Sequence, residues 1–281
     1  MIKLFFLLTL FVFTLNANVL RVGYSTDSFN ELSKKDSQIA LNLWFEEMIE
    51  SIDYSAKFTF YDNVTLMSND FDAGKLDLIF ANGIELVKYF DTSKMRGAIT
   101  GGTREKGGDN LVEVRRKSTS LEVLKRQKVL KVSLLKGETP SNIYVKGVVA
   151  QKYKNKKIVY VETKKYTPAL LKLFFKQVDI AIIPKKTFEF AKELNPQIGV
   201  KLEITHETNI TLATLGCFRK DIDKKFSDKI IRLAFEKVKD KRGKQMLIML
   251  KIPKLERVDL TQLTPIKKLY KEYLEQEEAN R

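Results

Sequence analysis

The feature that most constrains the fold is an alternation of short apolar strands and amphipathic helices, which runs through the chain in two successive blocks. In the first block, strands are predicted at 19–25, 56–61 and 76–81, and helices at 35–52 and 63–74. Strand–helix–strand units of this kind imply a largely parallel sheet with helices on both faces.

The second block repeats this order after a glycine-rich stretch. Its strands and helices alternate, and they are predicted at 129–135, 139–152, 157–161, 167–176, 178–183 and 185–194. The chain is then predicted to be extended from 202 to 219 and helical within 227–250 and 265–275.

Two such blocks predict an α/β protein with two lobes, each a mostly parallel sheet flanked by helices. Two hinge strands would join the lobes and leave a cleft between them. We expect lobe 1 to comprise residues 18–112 and 210–281, which include the C-terminal helices, and lobe 2 to comprise residues 113–209.

The first 17 residues have the pattern of a secretory signal peptide. Lys3 is followed by an uncharged apolar run from Leu4 to Leu15, and the small residue Ala17 comes shortly after it. The run is shorter than the roughly 20 residues that a membrane-spanning helix needs. We therefore expect a signal peptide at 1–17 and a periplasmic mature chain. A buried first helix or an uncleaved anchor is the alternative.

Two residue counts argue against the commonest catalytic and metal sites. The chain has one cysteine, Cys217, and one histidine, His206, and no serine lies in a nucleophile motif. We therefore expect a binding protein without a cofactor or metal, and not an enzyme. Asp77 and Asp179 are expected to orient turns before buried strands, and Cys217 is expected to be a buried small hydrophobe.

The chain is strongly basic, with a formal net charge of +15. A positive field of this size favours an anionic ligand or a negatively charged surface. We expect no nucleic acid as partner, because the chain is predicted to be exported and carries no nucleic-acid-binding motif. The alternative is that the lysines only solvate the surface.

The clearest candidate for an anion site is the segment LKVSLLKGETPSNIY at 130–144. Thr139 is predicted to cap a helix whose first position is Pro140, where the missing N–H group is not needed. Ser141 and Asn142 then lie in the first turn, where free N–H groups, hydroxyls and the positive helix end can hold an oxyanion. The alternative is an ordinary capped helix.

Two further turns follow strands of the first block, at the end of the predicted sheet where open α/β sheets bind ligands. One is rich in hydroxyls and contains Tyr24, Ser25 and Thr26, and the other is Asn82-Gly83. Gly83 would let the backbone approach a ligand closely. The alternatives are a plain polar turn for the first and a simple helix cap for the second.

Other side chains could add charge to the site. Lys164, Lys165 and Tyr166 lie between a strand and a helix, and Arg104 lies in a glycine-rich loop. A guanidinium can bind a phosphate, sulfonate or carboxylate through two hydrogen bonds. The alternative for the lysines and the arginine is a solvated surface position.

Four segments in a fixed order carry a family resemblance. They are FYDNVTLMSNDFDAGKLDLIF, VRRKSTSLEVLKRQKVLKVSLLKGETPSN, KKYTPALLKLFFKQVDIAII and the tail FRKDIDKKFSDKIIRLAFEKVKDKRGKQMLIMLKIPKL. This order resembles the phosphate-, phosphite- and phosphonate-binding proteins of ABC transporters, the PhnD-like family. The resemblance covers nearly the whole chain after the signal peptide.

The resemblance implies a type II periplasmic binding protein. Members of the family hold an oxyanion with hydroxyl and N–H groups at a Ser/Thr-rich helix start in the second lobe, which corresponds here to Thr139, Pro140 and Ser141. A histidine commonly precedes a later helix of that lobe, and Tyr166 occupies its place. Because Pro140 interrupts the longer Ser-Thr-Ser run that the family often has, another small anion is an alternative ligand.

The sequence thus predicts a periplasmic solute-binding protein of an ABC transporter, which binds a small phosphonate- or phosphate-like anion in its cleft and presents it to a permease. We expect a monomer. The alternative is a periplasmic sensor or docking protein of the same fold that signals to a membrane receptor or histidine kinase. The expected ligand-binding residues are Tyr24, Ser25, Thr26, Asn82, Gly83, Thr139, Ser141, Asn142 and Tyr166.

Overall fold

The computed structural model of the protein describes residues 18–26, 34–50, 52–102, 110–137, 139–211, 213–250 and 252–279. The predicted signal peptide lies outside these residues. The strands are β1 (Asn18–Ser25), β2 (Tyr54–Tyr61), β3 (Leu78–Asn82), β4 (Met95–Gly102), β5 (Asn110–Arg116), β6 (Val129–Leu135), β7 (Lys157–Thr163), β8 (Ile180–Pro184), β9 (Leu202–Thr211), β10 (Thr214–Arg219) and β11 (Lys254–Arg257).

These strands form two mixed sheets. The first has the order β11-β4-β10-β3-β1-β2, and the second has the order β7-β6-β8-β5-β9. In the first sheet β1 pairs parallel with β2 and β3, and β10 runs antiparallel between β3 and β4. In the second sheet β6 pairs parallel with β7 and β8, and β5 runs antiparallel between β8 and β9. Lobe 1 and lobe 2 below mean the parts built on the first and second sheets.

The chain passes from lobe 1 to lobe 2 between β4 and β5 and returns between β9 and β10. The pairing register shifts beside both crossings, between Asn110 and Val112 and between Leu215 and Cys217. Such bulges bend and twist a strand locally. The predicted lobe boundaries fall a few residues inside β5 and β9, and the division of the chain at 112 and 210 stays a prediction.

The helices cover the sheets, and sequence periodicity predicts most of them. They are α1 (Lys34–Glu50), α2 (Val64–Asp72), α3 (Gly83–Tyr89), α4 (Leu121–Arg126), α5 (Pro140–Tyr144), α6 (Ala150–Lys152), α7 (Tyr166–Phe174), α8 (Lys185–Leu194), α9 (Pro196–Lys201), α10 (Lys224–Lys237), α11 (Lys241–Met249) and α12 (Thr264–Ala279). The short elements α4, α9 and β11 were not predicted, because no more than six residues give too little periodicity. In the described part of the chain, no helix is both long and apolar enough to cross a membrane.

A buried aspartate fastens two parallel strands of lobe 1. The carboxylate of Asp77, just before β3, accepts the backbone N–H of Arg21 in β1 at 2.9 Å and the Arg21 guanidinium at 2.9 and 2.5 Å. Arg219 Nη2 lies 3.8 Å from the same carboxylate. Asp77 is only 5% exposed, so its charge needs these donors.

The same device occurs in lobe 2. Asp179, just before β8, accepts the backbone N–H of Lys131 in β6 at 2.9 Å, and Arg116 lies 3.5 Å from its carboxylate. Arg116 also donates to the carbonyl oxygen of Val178. The expectation that both aspartates orient turns before buried strands is confirmed, and the two lobes repeat this feature.

One apolar core runs through both lobes. It contains Ile79 of lobe 1, Val132 of lobe 2, and Ile266 and Leu269 of α12, each no more than 3% exposed. Two other clusters cover the opposite faces of the two sheets. The C-terminal helix therefore packs against both lobes, whereas the sequence predicts only that it belongs to lobe 1.

Cys217 is confirmed as a buried residue of this core. Burial raises the pKa of its thiol to about 12. Because the thiolate is the reactive form, the thiol is inert at neutral pH in the folded protein.

We expect Asp77→Asn to lower the free energy of unfolding by about 2 kcal/mol, because it removes a buried ion pair and one of the acceptors for the Arg21 donors. Urea denaturation of the purified protein measures this loss. The control is Asp72→Asn. The Asp72 carboxylate pairs with Lys94 at 3.1 Å on the surface, and its removal should lower the free energy of unfolding by less than about 1 kcal/mol. Equal losses in the two variants would contradict the role given to Asp77.

Candidate functional site

The predicted lobe-1 residues lie at the carboxyl ends of two adjacent parallel strands. β1 ends at Ser25 and β3 ends at Asn82. Tyr24 lies opposite Phe80 in the pairing register, which places the two strand ends side by side. The structure therefore brings all five predicted residues of this lobe to one edge of the first sheet.

The hydroxyl groups at this edge donate to carboxylates of the chain itself. Ser25 Oγ donates to Glu85 Oε1 at 2.6 Å, and Thr26 Oγ1 donates to Asp62. Ser25 is 0% exposed and Thr26 is 3% exposed. A hydroxyl has one proton to donate, so in this arrangement both protons are already directed to carboxylates.

Glu85 is the member of this edge that the sequence interpretation missed. Its second oxygen accepts the N–H of Asn82 at 2.9 Å, while Asn82 Oδ1 accepts the N–H of Glu85 at 3.0 Å. This reciprocal pair is a capping box at the start of α3. The alternative interpretation of Asn82 as a helix cap is thus confirmed, and its sequence signal is a glutamate three residues after the asparagine.

Gly83 accommodates the C-terminal helix. A Cβ atom at this position would lie 2.2 Å from Ile266 Cδ1 of α12. The missing side chain therefore lets α12 pack closely on the start of α3. The expected use of Gly83, close approach to a ligand, stays a prediction.

Tyr24 lies in the apolar layer next to this edge. Its ring stacks on Phe80 with 5.3 Å between centroids, and it is 9% exposed. Burial raises the pKa of its phenol, which also hydrogen-bonds with Thr214. The phenol is therefore neutral and can act only as a hydrogen-bonding group.

The predicted helix start in lobe 2 is confirmed. Thr139 Oγ1 accepts the N–H of Asn142 at 3.3 Å, and Pro140 takes the first helical position. Thr139 Oγ1 and Ser141 Oγ lie 3.0 Å apart, and either can be the donor. Ser141 Oγ also accepts the N–H of Leu135 at 3.3 Å, which ties the helix start to the end of β6.

Asn142 and Tyr166 complete the lobe-2 group, and both are largely buried. They are 5% and 6% exposed, and Tyr166 packs in the apolar cluster between the second sheet and α7. Leu135 pairs with Thr163 at the ends of β6 and β7, so the helices that follow these strands start side by side. The four lobe-2 residues therefore lie at one edge of the second sheet.

A buried carboxylate holds the helix of this site against the sheet. The helix continues from α5 through a π-helical turn (Val145–Val149) into α6. Glu113 of β5, 2% exposed, accepts the Tyr144 hydroxyl at 2.8 Å and Lys152 Nζ at 3.0 Å. Burial and the neighbouring carboxylate raise the pKa of Tyr144, so its hydroxyl keeps its proton. These bonds hold the helix against β5.

The strand ends of the two lobes differ in charge. Lys136 directly follows β6, and Lys164 and Lys165 directly follow β7, and all three are exposed. In lobe 1, Asp62 directly follows β2, and Glu85 lies in the first turn after β3. The edge of lobe 2 is therefore positive, and that of lobe 1 carries carboxylates.

Two further predictions from the sequence concern the Arg104 side chain and metal binding. Arg104 lies outside the described residues. Among the described residues, no group of three His, Cys, Asp or Glu side chains is placed to hold a metal ion.

A comparison with protein families matches residues 31–263 to the periplasmic substrate-binding proteins of ABC phosphonate transporters. The chain belongs to this family. The PhnD-like resemblance seen in the sequence is thereby confirmed, and the family is a periplasmic transporter family, not a family of enzymes. A comparison with curated protein sequences gives no match.

Solved structures share the fold at low identity. The binding-protein component of an ABC phosphonate transporter from Pseudomonas aeruginosa is 16% identical, with a TM-score of 0.62 over 95% of this chain and 90% of that chain. PhnD1 from Prochlorococcus marinus, in complex with methylphosphonate, is 18% identical, with a TM-score of 0.59 over 90% of this chain and 97% of that chain. A Xanthomonas citri protein bound to ATP is 9% identical, with a TM-score of 0.65 over 92% and 98% of the two chains. Together with the family match, this likeness shows the two-lobed fold of type II periplasmic binding proteins.

We expect Glu85→Gln to lower the free energy of unfolding by about 1–2 kcal/mol, because an amide keeps one of the two acceptor oxygens that Ser25 and Asn82 use. Chemical denaturation measures the change. The matched control is Glu122→Gln, also in the first turn of a helix but with its side chain 68% exposed, and it should change stability by less than about 0.5 kcal/mol. A Glu85 variant as stable as this control would show that the capping box adds nothing.

Proposed function

We propose that this protein is a periplasmic solute receptor that binds a small phosphonate-like oxyanion between its lobes and presents it to an ABC-transporter permease. The observation that carries the proposal is the helix start in lobe 2. The hydroxyls of Thr139 and Ser141 lie 3.0 Å apart at the end of β6. N–H groups and the positive end of the helix dipole add to them and favour an anion there.

Both hydroxyls can change their hydrogen bonds without a change in the backbone. Either oxygen can donate in their mutual bond, and the contacts with Leu135 are long, at 3.3 and 3.4 Å. A phosphonate oxygen is charged and accepts more strongly than a neutral carbonyl. We therefore expect both hydroxyl protons to turn towards the bound anion.

Because the two lobes differ in charge, we propose that they contact different parts of the ligand. The lysines after β6 and β7 attract the anionic group to lobe 2. In lobe 1, the carboxylates of Asp62 and Glu85 disfavour it, so we propose that lobe 1 closes over the organic part of the ligand. The residues proposed to line the two walls are Tyr24, Ser25, Thr26, Asn82 and Gly83 in lobe 1 and Thr139, Ser141, Asn142 and Tyr166 in lobe 2.

The relatives support both the ligand class and the partner. The Prochlorococcus marinus structure contains methylphosphonate, and the Pseudomonas aeruginosa protein is a component of a phosphonate transporter. Because the family is a transporter family, we propose a permease as partner and not a sensor kinase. Export would use the signal peptide expected at 1–17.

We expect methylphosphonate to raise the melting temperature of the protein in a saturable manner, because a ligand that binds only the folded state stabilises it. In the double variant Thr139→Ala/Ser141→Ala, the dissociation constant should rise at least about tenfold, which corresponds to about 1.4 kcal/mol. Phosphate, phosphite, sulfate and small carboxylates in the same thermal-shift series give the selectivity.

The control is Ser120→Ala. Ser120 caps α4 by accepting the N–H of Val123 at 3.2 Å, but α4 follows β5, which runs antiparallel to β8 and ends at the opposite edge of the sheet. This variant loses a cap of similar strength, about 1 kcal/mol, and should bind as the wild type does. Unchanged binding in the Thr139/Ser141 variant would contradict the assignment of the anion site to this helix start.

We also expect Lys164→Gln/Lys165→Gln to weaken binding of the same anion severalfold at low ionic strength, because long-range attraction is lost. The difference should shrink in about 1 M salt, where the screening length falls to about 3 Å. Titration calorimetry at two salt concentrations measures both effects. The control, Lys154→Gln/Lys157→Gln, removes two exposed lysines near the opposite end of β7, and an equal loss there would show that only net charge matters.

A further inference from the structure

The C-terminal helix α12 is anchored in lobe 1. Ile266 packs on the bare Cα of Gly83, and Lys267 Nζ donates to Thr92 Oγ1 at 2.7 Å. Just before α12, Leu263 is 0% exposed, and the N–H of Val258 bonds to the carbonyl of Ala98 in β4 at 3.2 Å. The first half of the helix is therefore held by the sheet and helices of lobe 1.

The second half of α12 lies against lobe 2. It contacts the helix that Thr139 begins, at the π-helical turn. Gln276 Nε2 donates to the carbonyl oxygen of Gly147 at 2.7 Å. A Cβ atom at Gly147 would lie 3.8 Å from Tyr273 Cα and 3.9 Å from Leu269 Cδ1, which are ordinary van der Waals distances, so the two helices pack directly against each other at this position.

The contact between α12 and lobe 2 includes a distorted stretch of helix. A π-helical turn is rare and often lies at functional positions, and Gly147 is at its centre. The same helix carries the proposed anion site at its start and the Tyr144–Glu113 bond in its first turns. A movement of α12 would therefore act on the same helix whose start carries the proposed anion site.

We propose that α12 is a strap that sets the angle between the two lobes. It spans the lobes from a fixed anchor in lobe 1 to a sliding contact in lobe 2, which includes the Gln276–Gly147 hydrogen bond and the packing of Tyr273. Lobe motion in this protein then requires α12 to shift along the helix of residues 140–152, a shear movement of packed helices. This role of α12 does not depend on which ligand the protein binds.

The test measures the distance between the lobes without ligand. Spin labels at Glu46→Cys in α1 and Glu193→Cys in α8, both exposed positions, report the distance distribution by pulsed electron paramagnetic resonance. Cys217 can stay in place, because its buried thiol does not react in the folded protein. In the otherwise unchanged chain we expect one narrow distribution.

Removing the contact with lobe 2 should loosen the lobes. In Gln276→Ala/Tyr273→Ala, we expect a distribution at least twice as wide or a mean distance shifted by several ångström, with the far-UV circular dichroism of the wild type. Gln276→Ala alone should also broaden the distance distribution, and this single variant replaces the double variant if the latter does not fold. Lys271→Ala, on the exposed face of α12 with its side chain 79% exposed, should leave it unchanged. An unaltered distribution in Gln276→Ala and the folded double variant, or equal broadening in Lys271→Ala, would overturn the proposal.

Discussion

The carboxylates of Asp77, which is buried, and Asp179, which is partly buried, hold the strand pairs on which the rest of the structure depends. Each lies directly before a central strand, binds a backbone N–H of the neighbouring parallel strand, and has an arginine beside it. Each of these bonds sets the register between two parallel strands. It therefore also sets how the carboxyl ends of the two strands lie relative to each other. The two edges that carry the candidate site residues are the far ends of these same strand pairs.

The two edges share their geometry but differ in chemistry. In lobe 1 the hydroxyl of Ser25 is already bound to the carboxylate of Glu85, whereas in lobe 2 Thr139 and Ser141 bond mainly to each other and to the backbone. Exposed lysines stand beside the lobe-2 pair. This difference is the reason why we propose that lobe 2 binds the anionic group of a ligand and that lobe 1 closes over the rest of it.

Local signals in the sequence predict much of this architecture. Thr139 followed by Pro140 predicts the helix start, and the strand alternation predicts the sheets, because capping and periodicity depend on neighbouring residues. Glu85 was missed although the capping-box spacing was visible, since its contact with Ser25 joins residues 60 positions apart. The position of α12 across both lobes depends on contacts such as Gln276 with Gly147, 129 positions apart, which no local pattern contains. The ligand class came from the family resemblance and not from any single residue.

We propose that lobe 2 binds the anion at the start of the helix that Thr139 caps. A crystal structure of the protein with methylphosphonate would show where the anion lies. We expect phosphonate oxygens within hydrogen-bonding distance of the Thr139 and Ser141 hydroxyls and of N–H groups in the first helical turn. A phosphonate bound at the lobe-1 edge, or no bound phosphonate in crystals soaked well above the concentration that saturates the thermal shift, would contradict this proposal.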